Sequence, residues 1–288
     1  MKCYKVKPGG FMGKRLVFDC SGGISGDMTV GALLALGADK SKLLEVLESL
    51  PVEGFKIKIS VIEKGGTECT DFDVVLDNEH ENHDHDMKYL HGHDEHEPVA
   101  IDENGYVDMG VDGESAAHHH HRGLREITEI IEGSRASTAA KDLAVKIFGI
   151  LAAAESKAHG IPVENVHFHE IGAVDSIADI LAIAVCLDDL DIKDVYVGKI
   201  NDGCGTIRTR HGILPVPVPA VKIIAEEYGL PLISTDVKGE MVTPTGAAVL
   251  AAVRNPGSLP EKHEIIKTGC GAGKRDYASR GYLKAMIV

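Results

Sequence analysis

Tryptophan is absent from this chain, and aromatic residues fill only 5% of its 288 positions. The core must therefore rest on Ala, Val, Ile and Leu. Cysteine is sparse and scattered. Cys3, Cys20, Cys69, Cys186, Cys204 and Cys270 form no Cys-x-x-Cys pair, which argues against a structural zinc site and against a redox dithiol. The N-terminus has no apolar leader, and the longest unbroken apolar run, residues 180–187, is far too short for a membrane span. These absences predict a cytoplasmic protein with reduced thiols. No basic stripe exists either, which excludes a nucleic-acid-binding surface.

Charge is present but unevenly placed. The net charge is −14, yet residues 78–117 alone hold twelve Asp or Glu and a single Lys, leaving the rest of the chain nearly balanced. This segment also carries His80, His83, His85, His91, His93 and His96, with almost no apolar periodicity. Its composition cannot bury enough apolar area to offset the entropy of ordering, so it reads as a disordered insertion that collects divalent transition metals. On either side, strand patterns alternate with helical ones. The sequence predicts a mixed α/β (α+β) fold: a small N-terminal α/β unit over 1–77, the insertion over 78–117, and a helix-rich main domain for metal and substrate over 118–288.

The densest ordered set of metal-competent side chains is Val166-His-Phe-His-Glu-Ile-Gly-Ala-Val-Asp-Ser-Ile-Ala-Asp179. His167 and His169 are two apart, so in an extended segment their imidazoles leave the same face. Glu170 follows at once. Asp175 and Asp179 are four apart at the start of an apolar-periodic run, which puts both carboxylates on one side of a helix. Two imidazoles and three carboxylates at a strand-to-helix junction suit a borderline divalent cation such as nickel, zinc, iron or manganese. A satisfied polar junction, with Asp175 capping the helix and His169 bonded in the core, is the plainer alternative.

Two glycine-rich segments invite an anion. Cys20-Ser-Gly-Gly-Ile-Ser-Gly-Asp27 lies between a short strand and a helix ending at Gly37, where backbone N–H groups can hold a phosphate. Gly269-Cys-Gly-Ala-Gly-Lys-Arg-Asp276 reads as a loop with two cations. Neither has dinucleotide-fingerprint or Walker spacing. Between them, His211-Gly-Ile-Leu-Pro-Val-Pro-Val-Pro forms a rigid extended segment, because each proline fixes φ and lacks an N–H.

These blocks, with the His118-His-His-His-Arg122 run and Thr243-Pro-Thr-Gly-Ala-Ala, resemble in their order the LarC family. Members of that family are nickel insertion proteins that complete the nickel-pincer nucleotide cofactor of lactate racemase. The resemblance covers nearly the whole chain, the acidic His-rich insertion included. It implies a CTP-dependent cyclometallase, a lyase-class nickel chelatase that places Ni²⁺ into pyridinium-3,5-bisthiocarboxylic acid mononucleotide. Two nickel–sulfur bonds and one nickel–carbon bond are made, with Mg²⁺ or Mn²⁺ accompanying CTP. Family members continue past the last glycine-rich block, so the CTP site is expected outside this chain, in a separate C-terminal portion.

Under the resemblance, Glu170 and Asp175 are the catalytic candidates, because a nickel–carbon bond requires loss of a ring proton to a base. His118, His119, His120, His121, His167, His169, Asp179 and His211 are the metal candidates. Ser21, Ser25, Asp27, Lys274 and Arg275 are the candidates for holding the substrate phosphate. The implied partners are the mononucleotide and lactate racemase as recipient, with a homo-oligomer left open. A nickel store or metallochaperone would need only the insertion, and a metal-dependent hydrolase only the junction. An insertase needs both, together with an anion site. Deleting residues 78–117 is expected to lower the number of nickel ions bound, by equilibrium dialysis, while leaving the melting temperature nearly unchanged.

Overall fold

Leu16, Phe18 and Cys20 alternate with Arg15, Val17 and Asp19, so β1 (Lys14–Cys20) buries one side of its pleat completely. It lies inside a seven-stranded mixed sheet in a computed structural model that describes residues 14–76, 122–166, 168, 174–209, 212–257, 263–277 and 280–288. The other members are β2 (Phe55–Lys64), β3 (Thr67–Leu76), β4 (Ile192–Cys204), β7 (Leu232–Lys238), β8 (Lys267–Tyr277) and β9 (Arg280–Ile287), in the order β2-β3-β8-β9-β1-β4-β7. A separate hairpin joins β5 (Thr206–Thr209) to β6 (Gly212–Pro215). Strands from both sides of the 78–117 segment thus share one sheet, and one hydrophobic core runs from Leu16 to Ile287.

Seven α-helices are found among the described residues: α1 (Gly26–Ala35), α2 (Lys40–Leu47), α3 (Leu124–Gly133), α4 (Thr138–His159), α5 (Val174–Asp189), α6 (Pro219–Tyr228) and α7 (Pro244–Val253). Their ends follow local chemistry. The Asp39 carboxylate accepts from the N–H groups of Ser41 and Lys42 to open α2, and Ser137 does the same for Ala140 in α4. Gly160 and Gly229 close α4 and α6 in the left-handed region. Helix α5 is buried on nearly all sides, with Ile177, Ile180, Leu181, Ala182, Ile183 and Ala184 fully covered. Helix α4 becomes exposed over its last turn, from Lys157 to His159.

The segment 269–276, expected as a loop, is a strand. Its glycines serve packing instead of turning. A Cβ at Gly271 would stand 1.9 Å from the Met28 carbonyl oxygen, and one at Gly269 would stand 2.5 Å from that of Ala32. From the other side, a Cβ at Gly31 would lie 2.3 Å from the Thr70 carbonyl oxygen. Helix α1 therefore rests on β8 and β3 at backbone contact, with no side-chain layer between.

β1, β3, β4, β7 and β8 all point the same way, and their C-terminal ends share one edge of the sheet. Helix α1 begins just after β1 and α7 just after β7, while α5 runs down from that edge to lead into β4. Ligands of open α/β sheets bind outside the carboxyl ends of the strands, which makes this edge the place to look. Replacing Gly271 with Ala is expected to destabilise the fold by about 3 kcal/mol or more in urea denaturation, because backbone must move to admit a methyl. Gly149 in α4 has open space around its Cβ position, so Gly149→Ala should gain up to about 1 kcal/mol instead.

Candidate functional site

The turn after β1 is held from two directions. The Ile24 N–H donates to the Met241 carbonyl at 2.9 Å, and the Thr243 N–H donates back to the Ile24 carbonyl at 3.1 Å. Ser21 is exposed at the start of the turn, where its N–H donates to Asp19 Oδ1 and its carbonyl accepts from Asn201. Ser25 sits at the N-cap of α1 but does not cap with its side chain. Its hydroxyl instead donates to Asp27 Oδ1 in a very short contact.

Asp27 and Asp179 meet where α1 and α5 cross. A Cβ on Gly26 would stand 2.4 Å from Asp179 Oδ2, so glycine at the first position of α1 makes room for that carboxylate. Burial raises the pKa of Asp179 well above its ordinary value, and the negative charges of Asp27 and Asp175 push it further up against the opposing pull of Lys274. Burial also raises Asp27, although the Ser25 hydroxyl and the Met28 N–H favour its ionised form. Two further carboxylates arrive on β3: Lys274 Nζ lies 2.9 Å from Asp71 Oδ1 and 3.2 Å from Asp73 Oδ1. Burial opposes the ammonium of Lys274, but these two acids and Asp27 keep its pKa raised. Asp27, Asp71 and Asp73 thus act on one ammonium, with Asp179 also in its field. Among the described residues, the recess carries more carboxylates than cations.

A second network adjoins it. Asp202 is fully buried at the end of β4, and its Oδ1 accepts from the N–H groups of Gly203, Met241 and Val242 at 2.8, 2.9 and 3.0 Å. Its Oδ2 has no hydrogen-bond partner among the described residues, and burial raises its pKa despite those three donors. Arg275 Nη1 donates to the Glu240 carbonyl at 2.8 Å and lies 3.2 Å from Glu240 Oε2, while the Tyr277 hydroxyl donates to the same carbonyl at 2.7 Å. Asp202 therefore fixes the loop that in turn holds the turn at Ile24.

Among the expected site residues, Ser25, Asp27, Asp175, Asp179 and Lys274 are brought together, and Ser21 and Arg275 lie at the same edge. Lys274 and Arg275 are both engaged by carboxylates. His118, His119, His120, His121, His167, His169, Glu170 and His211 lie outside the described residues, as does the 78–117 insertion. Their chain neighbours are informative, however. Arg122, which follows His121, forms a β-bridge with Phe168, which stands between His167 and His169. Phe168 is buried edge-on against Phe148, with ring centroids 6.1 Å apart. Among the described residues, no three His, Cys, Asp or Glu side chains are placed to share one metal ion.

Asp71, Asp73, Asp202, Glu240 and Tyr277 were not anticipated. The alternation Asp71-Phe-Asp73 on a strand was a usable signal for the first two. The others depend on strand order, which the local sequence does not carry.

Comparison with known proteins assigns the chain to a family. The family model described as nickel insertion protein matches residues 16–287. A pyridinium-3,5-bisthiocarboxylic acid mononucleotide nickel insertion protein of Alkaliphilus metalliredigens is 45% identical over 96% of this chain and 61% of its own length. One of the same name from Akkermansia muciniphila is 39% identical over 91% of this chain and 57% of its own length. A putative nickel insertion protein of Dictyoglomus thermophilum is 34% identical over 95% of this chain and 60% of its own length. The chain therefore spans about three-fifths of the curated relatives it matches. No solved structure matches it. No described helix is long and apolar enough to cross a membrane. The chain belongs to the nickel insertion protein family, the LarC family.

Proposed function

We propose that this chain inserts nickel into pyridinium-3,5-bisthiocarboxylic acid mononucleotide, the molecule named for its relatives. The observation that carries the reading is the acidic recess around Asp179, which opens α5 directly after the His167–Glu170 stretch of sequence. A carboxylate pushed well above its ordinary pKa by burial, and further by neighbouring carboxylates, is stabilised when a divalent cation supplies compensating charge. Imidazole and carboxylate ligands bind nickel without the hold of thiolates, as release to a sulfur-bearing acceptor requires. His167, His169 and Asp179 deliver the ion, and the His-rich runs collect it.

Forming the nickel–carbon bond requires that a ring proton leave as the metal arrives. Glu170 or Asp175 accepts that proton. Lys274 stays fixed between Asp71 and Asp73, so it orders the recess and is not the main phosphate ligand. The substrate phosphate goes to the backbone N–H groups around Ser21 and Ser25 at the start of α1. CTP consumption with Mg²⁺ or Mn²⁺ is assigned to the additional length that the relatives possess, and lactate racemase is the recipient of the product. In this role the protein works in the cytoplasm. The alternative, a nickel store without catalysis, has no use for a buried acid cluster built from residues outside 78–117.

Single replacements of His167, His169 or Glu170 by Ala are expected to lower cofactor formation at least 100-fold, read as activation of lactate racemase, while nickel still binds the 78–117 insertion. Normal activation by these variants would leave the junction a structural element only.

The acid cluster gives a second prediction. The raised pKa of Asp179 means that the folded state holds a proton which the unfolded state releases near 3.8. Stability therefore falls as pH rises from about 4 through the raised value, and levels off beyond it. Asp179→Asn removes this loss. The variant should melt higher than the wild type at neutral pH, by about 2–4 °C for each kcal/mol regained, and the two curves should converge below about pH 4. Saturating Ni²⁺ should raise the wild-type melting temperature at neutral pH more than that of the variant, both measured with the 78–117 insertion deleted.

A further inference from the structure

β2 and β3 pair along their whole length, from Phe55 with Leu76 to Lys64 with Thr67, but β3 joins the rest of the sheet through one residue pair, Thr70 with Gly271. Cys69 and Cys270 immediately precede that pair on two parallel strands, so their side chains leave the same face side by side. With Ala272, and with Tyr282 packed against them, they form an apolar cluster separate from the main core. Each thiol perturbs the other's titration, and the Cys69 thiol donates to the Thr67 carbonyl oxygen at 3.5 Å. Both cysteines are free. Neighbouring strands are about 4.8 Å apart, inside the Cα window of about 4.4–6.8 Å that a disulfide tolerates. The absence of any Cys-x-x-Cys motif had argued against a dithiol, but here the sheet assembles one from distant positions.

We propose that Cys69 and Cys270 are a redox pair which a hydroperoxide converts into a disulfide, stapling β3 to β8 at its single bridge. Burial raises both thiols, Cys69 to about 11, while Lys284 and the Cys69 thiol draw Cys270 back down. Cys270, the more exposed of the two, is the first to react. Its thiolate attacks one peroxide oxygen, the O–O bond breaks, and the departing hydroxide takes up a proton to become water. The Cys69 sulfur then attacks the Cys270 sulfenic acid, the S–O bond breaks, and a second water leaves with the Cys69 proton. Two thiols and one hydrogen peroxide give one disulfide and two waters, and the two electrons lost by sulfur reduce the peroxide. Cys270 is 8% exposed and Cys69 only 1%, so a water-sized oxidant reaches the pair from the Cys270 side. Asp71 is two residues past Cys69 and Lys274 four past Cys270. The staple therefore locks the strand pair that carries one wall of the acidic recess. It stands independently of the nickel-insertion reading.

The test treats the reduced chain with hydrogen peroxide, then alkylates it unfolded and maps its peptides without reduction. The expected result is a Cys69–Cys270 cross-linked peptide, an intact mass lower by two hydrogens, and a melting temperature higher by about 5–10 °C, all reversed by a phosphine reductant. Cys69→Ala and Cys270→Ala, each first shown to melt cooperatively when reduced, should show no such rise, and Cys69→Ala should accumulate a sulfenic acid at Cys270. The proposal is overturned if wild-type Cys270 proceeds to sulfinic acid without a cross-link. It is equally overturned if both thiols stay alkylatable while exposed methionines oxidise, or if the cross-link forms without any rise in melting temperature.

Discussion

The contact on which the rest depends is backbone against backbone: α1 lying on β8 and β3 with glycine at the points of touch. Any side chain at Gly31, Gly269 or Gly271 would lift the helix off the strands. Lifting it would carry Asp27 away from Lys274 and Gly26 away from Asp179, and the acid cluster would dissolve. The cost is conformational freedom in the unfolded chain, since glycine loses most on folding. In return the N-terminus of a helix is brought within reach of two neighbouring strands without relying on large side chains, in a chain that has no tryptophan and few other aromatics.

The same contact explains the largest error of sequence reading. Gly269-Cys-Gly-Ala-Gly has the composition of a loop, and from local sequence it reads as one. Its partner helix is more than two hundred residues away in the chain, so nothing nearby shows that the glycines are there to be packed upon. Elements with their own periodicity were legible: β1 from Leu16 and Phe18, the β2–β3 hairpin from its Gly65-Gly66 turn, α7 from Pro244 at its first turn. Half of the recess was legible for a similar reason, because Asp175 and Asp179 are neighbours on one helix. Asp71 and Asp73 alternate visibly in the sequence, but their place beside Asp27 and Lys274 depends on strand order, which is a property of the whole sheet.

Charge placement changes what the edge is suited to hold. Read as sequence, Lys274 and Arg275 are two cations in a glycine-rich stretch and suggest a phosphate. In the fold each faces carboxylates: Asp71 and Asp73 for the lysine, Glu240 for the arginine. Cations bound by carboxylates contribute little free field to an incoming anion. The distinction between an anion site and a cation site thus rests on pairings that no count of residues reveals.

Lys274 and Arg275 are also consecutive residues, and the peptide unit between them joins the two networks. One anchors the strand to β3, the other to the loop that Asp202 and Ile24 hold. A rotation of that peptide large enough to free either side chain would strain the other. The two halves of the edge are therefore geared together, and whatever loosens the lysine from its aspartates is transmitted as torque to the loop at Glu240.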